Sequence, residues 1–167
     1  MKTRQNRLTR VICILTIVAL ALVGCGSDGD QTSSVDVAQL GEELLALDPE
    51  IPEMEKVNGS AENADVTFAV LADFDYEKID NYFYAYSSSG SPEEVAVIAL
   101  KNKSDAGDLM KALKAHIESR KNTFQQYTPE QVGMLDNAIL TYQGNVVLYA
   151  VDSKNGIMQD TFKEKVQ

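Results

Sequence analysis

The residues predict an α+β fold: an antiparallel sheet of two hairpins in ββαββα order, covered by helices on one face and preceded by an N-terminal helix. Three observations carry this expectation. Tyr82, Tyr84 and Tyr86 alternate with Phe83 and Ala85, the period-two pattern of a strand. Gly144-Asn145 separates two β-rich runs, as a two-residue type II′ loop would. Ala106, Leu109, Met110, Leu113 and Ile117 recur at helical spacing.

Before any of these elements comes a different kind of segment. Lys2, Arg4, Arg7 and Arg10 precede an apolar run from Val11 to Val23. At about 1.5 Å per residue that run is too short for a hydrocarbon core of about 30 Å, so it reads as an export signal. Leu22-Val23-Gly24-Cys25 resembles the lipobox of bacterial lipoproteins at all four positions. The resemblance implies that residues 1–24 are a signal peptide, that the Cys25 thiol is lipidated, and that the protein is held at the outer face of the cytoplasmic membrane. Two acyl chains, at about 0.8 kcal/mol per buried methylene, make a stable anchor where one would be marginal.

Cleavage there removes Cys13 along with the signal, which leaves no thiol for a disulfide, a metal cluster or a nucleophile. It also removes four basic residues and no acidic one, taking the formal charge from −10 to −14. Such a surface disfavours nucleic acid and anionic head groups, so the lipid itself is the expected membrane contact. Residues 26–34 contain only Gly, Ser, Asp, Gln and Thr, and residues 25–35 are read as a flexible tether. Residues 36–167 are read as a single α+β domain.

Within that domain, Val37, Leu40, Leu44 and Leu47 predict a helix, with Asp36 and Gln39 placed as in a capping box and Pro49 and Pro52 beyond its end. Asn58-Gly59-Ser60 is a turn signal, and residues 65–71 lean to helix although their composition also suits a strand. Residues 82–86 and 95–100 then form the first hairpin around SSSGSP. Asp105 is placed to cap the long helix, and Thr128-Pro129-Glu130-Gln131 signals the start of a short one. Residues 138–142 and 146–151 form the second hairpin, and Asn155 opens a last helix with Ile157, Phe162 and Val166 on its inner side.

Few residues suggest chemistry. His116 is the sole histidine, lies beside the buried stripe of the long helix, and has no GxSxG, HExxH or phosphate-loop pattern near it, so it reads as structural or surface. Asp73, Asp75, Glu93 and Glu94 are the carboxylates that a hydrolase would use. An EF-hand starting at Asp73 fails, because Lys78 and Tyr84 occupy the positions that need glycine and glutamate. No cofactor or metal site is expected. Tyr82, Tyr84 and Tyr86 form the candidate binding face for a sugar or peptide, against the plainer reading that a helix covers them. Lys101, Lys103, Lys111, Lys114, Arg120 and Lys121 concentrate base along the long helix, either as a dock for an anionic polymer or as a solvated face.

Several stretches together resemble a family of bacterial lipoproteins whose shared domain is one of unknown function, of the four-three-five-eight type. They are NYFYAYSS, EEVAVIALK, HIESRKNTFQQY, YTPEQ, NVVLYAVD and the terminal FKE. The resemblance implies an exported, lipid-anchored domain, mostly in Gram-positive bacteria, and no particular chemistry. The expected function is a noncatalytic module that binds an envelope protein, peptide or wall polymer, with a carboxylate-dependent envelope hydrolase as the alternative.

Overall fold

Two runs, EVAVIAL and VVLYAV, are apolar at nearly every position rather than at alternate ones, and such strands need cover on both faces. The computed structural model, which describes residues 35–166, provides it. The signal peptide, Cys25 and nearly all of the tether lie outside the described residues.

In chain order the elements are α1 (Val37–Leu45), β1 (Met54–Asn58), α2 (Ala64–Leu71), β2 (Ile79–Ser87), β3 (Glu94–Leu100), α3 (Ala106–Tyr127), α4 (Val132–Asp136), β4 (Ile139–Gln143), β5 (Val146–Val151) and α5 (Asn155–Lys165). The five strands make one antiparallel sheet in the order β1-β2-β3-β5-β4. β3 and β5 lie inside it and are buried at every residue.

The expectation of helices on one face is corrected: they cover both. On one side Val37, Leu40 and Leu44 of α1 and Met158 and Phe162 of α5 pack on Phe83, Val95, Val97 and Leu148. On the other, Phe68 and Leu71 of α2, Leu109, Leu113 and Ile117 of α3 and Leu135 of α4 pack on Tyr82, Ile98 and Tyr149. The sheet also has a fifth strand that the sequence reading lacked, β1, which is short, polar and at the edge.

Local chemistry sets the boundaries. The Asp36 carboxylate accepts from the backbone N–H groups of Ala38 and Gln39, whereas the Gln39 side chain donates to Glu43 rather than closing a reciprocal box. Asp105 does not cap α3; it pairs with Lys78 at 2.8 Å across the domain, and a 3₁₀ turn leads into the helix instead. Pro129 begins a 3₁₀ turn that continues as α4. Gly144 has φ +59° and no described non-glycine residue has positive φ, which suits type II′ rather than type I′. In α5 Met158 and Phe162 face the core, with Val166 just beyond, while Ile157 faces solvent.

Candidate functional site

Strand register explains the one charged residue buried in a central strand. Glu94 begins β3 and points to the same face as Ala96 and Ile98. Ala96 is opposed by Tyr84 from β2 and by Tyr149 from β5. Because alanine fills little of the space between them, the two phenols lean along the sheet and reach the carboxylate two residues away. Tyr84 donates to Oε1 and Tyr149 to Oε2, both at 2.6 Å.

Helix α3 completes the shell. His116 and Arg120 are four residues apart and so share a face of the helix. His116 Nε2 lies 3.0 Å from Glu94 Oε2, and Arg120 Nη1 lies 3.4 Å from Oε1. Arg120 Nη2 donates to the Ser91 carbonyl at 3.2 Å, and its guanidinium stands over the Phe124 ring. Its buried Nε–H has no acceptor among the described residues.

Burial would by itself raise the Glu94 carboxyl, but the His116 hydrogen bond and charge, then Arg120 and the Tyr149 hydroxyl, outweigh it and hold it below the usual range. Burial, followed by the charge and hydrogen bond of Glu94, pushes both the Tyr84 and the Tyr149 phenols up. The cluster is thus a carboxylate with each oxygen approached by two donors. That makes it a fixed charge that orients its neighbours rather than a free base.

Glu94, Tyr84, His116 and Arg120 floor a cleft of about 540 Å³ between α2 and α3. Its mouth is formed by the β2–β3 hairpin, including Ser87, Ser88, Gly90 and Ser91, and by Glu55 on β1. Val66 and Val70 of α2 line one wall and are 62% and 69% exposed. Tyr86, half-buried, lies on the sheet side with its ring 5.3 Å from that of Tyr84.

The three tyrosines are on one face of β2, as their alternation requires, but their surroundings differ. Tyr82 is wholly buried under α2, donating to the Ala64 carbonyl at 2.7 Å. Tyr84 and Tyr86 reach the cleft. Among the carboxylates singled out in the sequence, only Glu94 lines it. Asp73 and Asp75 line a shallower hollow with Lys78, Asp108 and Lys111, and Glu93 accepts from the Ser91 hydroxyl. The basic stretch also divides: Arg120 enters the cleft, whereas Lys121 pairs with Glu118 and Asp136. Among the described residues no group of three His, Cys, Asp or Glu could hold a metal ion, and no helix is long and apolar enough to cross a membrane.

Fold and site together define an α+β domain with a five-stranded antiparallel sheet and a cleft built over one buried carboxylate. The chain belongs to the family described as Domain of unknown function (DUF4358), whose model matches residues 54–152. That span contains every residue of the cleft. No curated protein matches the chain, and no solved structure does.

Proposed function

We propose that this protein is a binding module of the cell envelope, held by a lipid on Cys25 and taking its ligand into the cleft between α2 and α3. The observation that supports binding is the saturation of Glu94. Its oxygens are occupied by Tyr84, Tyr149, His116 and Arg120, so the floor of the cleft presents ring faces, hydroxyls and N–H donors rather than a free carboxylate base, and the one unsaturated carboxylate of the lining, Glu55, lies at the mouth. The anchor rests on the Leu22-Val23-Gly24-Cys25 sequence and on the tether after it. Native mass spectrometry of the protein, extracted gently from its own membrane, tests both parts. The expected species is a diacylated chain beginning at Cys25 that carries an additional bound mass, and the Val70→Trp variant, which obstructs the cleft from an exposed position, loses that mass. An unmodified chain beginning at Met1 refutes the anchor, and an additional mass that is the same in wild type and in the Val70→Trp variant refutes the cleft as the binding place.

The contact between Glu94 and His116 supports one alternative, an envelope hydrolase in which the carboxylate holds the imidazole as a proton acceptor. In that case the His116→Gln variant would keep ligand binding and lose turnover.

A further inference from the structure

The lining of the cleft narrows its ligand, provided that the binding reading above holds. Three kinds of group remain open to a guest. Arg120 has a side chain that is 25% exposed and spends one N–H of Nη1 on Glu94 and one of Nη2 on the Ser91 carbonyl, which leaves a second N–H on each nitrogen for an oxygen from outside the chain. At the mouth, Glu55 is exposed and offers a carboxylate as acceptor. Along the walls stand the Tyr86 ring, whose hydroxyl makes no hydrogen bond among the described residues, and the water-facing side chains of Val66 and Val70.

Charge excludes much of what could otherwise fit. Two carboxylates, Glu55 and Glu94, face Arg120 and His116 in the lining, which leaves no positive excess there, and the chain carries −10 overall with histidine neutral. An anion therefore gains no net attraction on entering. A cation would meet Arg120 at the floor. The preferred guest is neutral and oxygen-rich, with groups that both donate and accept.

Backbone geometry separates the two common guests of that description. One recurring way of holding an extended peptide is by main-chain hydrogen bonds to an open strand edge. β2, beneath this cleft, is paired on both sides, and the open edge on this side of the sheet belongs to β1, two strands away from Glu94 on β3, so a peptide added there would lie off the cleft floor. A sugar ring needs no such edge. Its C–H face stacks on an aromatic surface while its hydroxyls hydrogen-bond to side chains around the rim. A volume of about 540 Å³ encloses such a ring with its substituents. We infer that the cleft between α2 and α3 binds a neutral sugar unit of a glycan, its apolar face on Tyr86 and the α2 valines and its oxygens on Arg120 and Glu55.

Saturation-transfer-difference NMR on the full-length anchored protein in detergent micelles tests this with four probes: cellobiose, diacetylchitobiose, trialanine and hexanoate. The expected result is saturation of at least one disaccharide at its ring protons and of neither other probe. Tyr86→Ala is expected to weaken that disaccharide at least tenfold. Val70→Trp, which changes only an exposed position and leaves the core untouched, is expected to do the same. Saturation of trialanine or hexanoate in place of the sugars overturns the sugar assignment while leaving the cleft a binding site. Silence from all four probes overturns the assignment too, and the mass-spectrometric result stands apart from it. Sugar binding that survives both substitutions places the sugar elsewhere and also overturns the proposal.

Discussion

At the scale of single residues, the Glu94 carboxylate is the point on which both stability and the cleft depend. Its side chain is 2% exposed, and it is held ionised by His116, Arg120 and the two phenols. Replacing it with glutamine removes the charge while leaving the donors in place, and it brings an N–H₂ among groups that are themselves donors. The Glu94→Gln variant is expected to lose about 3 kcal/mol at pH 7, measured by urea unfolding. The sign of the pH dependence follows from the lowered pKa. A carboxyl depressed in the folded state contributes stability that is present above its unfolded value, about 4.3, and is lost as pH falls through the folded value. The gap between wild type and variant should therefore close on acidification below about pH 4. A gap that stays constant to about pH 3 would mean that Glu94 acts through shape rather than charge. The sequence made the parts of this cluster visible without their assembly. Glu94 was one of four carboxylates named together with nothing to prefer it, and His116 and Arg120 are one helical turn apart, but Tyr149 carried no mark of its own. What joins them is the register that sets Tyr84 and Tyr149 on either side of Ala96, and register is a property of pairing rather than of any one strand.

At the scale of elements, the approach of α1 to the sheet turns on one glycine. Gly41 lies against Phe83 of β2, and a Cβ there would overlap the phenyl ring. In an open helix, glycine to alanine gains up to about 1 kcal/mol from propensity. Overpacking of this kind costs about 1–3 kcal/mol, so Gly41→Ala is expected to destabilise. Gly107, in the first turn of α3, has nothing within 4 Å of where a Cβ would stand. Gly107→Ala is therefore expected to be neutral or to stabilise by a few tenths of a kcal/mol. Thermal unfolding of the two variants side by side checks the contrast, and two shifts of the same sign would contradict it. Elements with strong periodicity were legible in the residues: the stripe of α3, the tyrosine alternation of β2 and the Gly-Asn turn between β4 and β5. β1 was not, because MEKVN is polar at an edge, where half its surface faces water and no apolar alternation is needed. Asp105 misled for a related reason. Its side chain has a long-range partner in Lys78, and a tertiary ion pair took the group that local chemistry would have used as a cap.

At the scale of the whole molecule, the two faces of the sheet differ in how they are covered and in what they carry. The cleft face is roofed by α2, α3 and α4, all within residues 54–152, the span shared with the family. The opposite face is roofed by α1 and α5, which lie on either side of that span. The continuous apolar runs of β3 and β5 already demanded two roofs, which an expectation of helices on one face did not provide. The consequence is testable by cutting the chain. A fragment of residues 54–152 retains the sheet and every cleft residue but bares Phe83, Val95, Val97 and Leu148 to water, a contiguous apolar surface of the kind that drives association. A fragment of residues 35–167 retains both roofs. The shorter fragment is expected to aggregate or to bind a hydrophobic dye without a cooperative melt, whereas the longer one melts cooperatively as a monomer. If residues 54–152 unfolded cooperatively as a soluble monomer, the second roof would be dispensable. The fold would then rest on the cleft face alone.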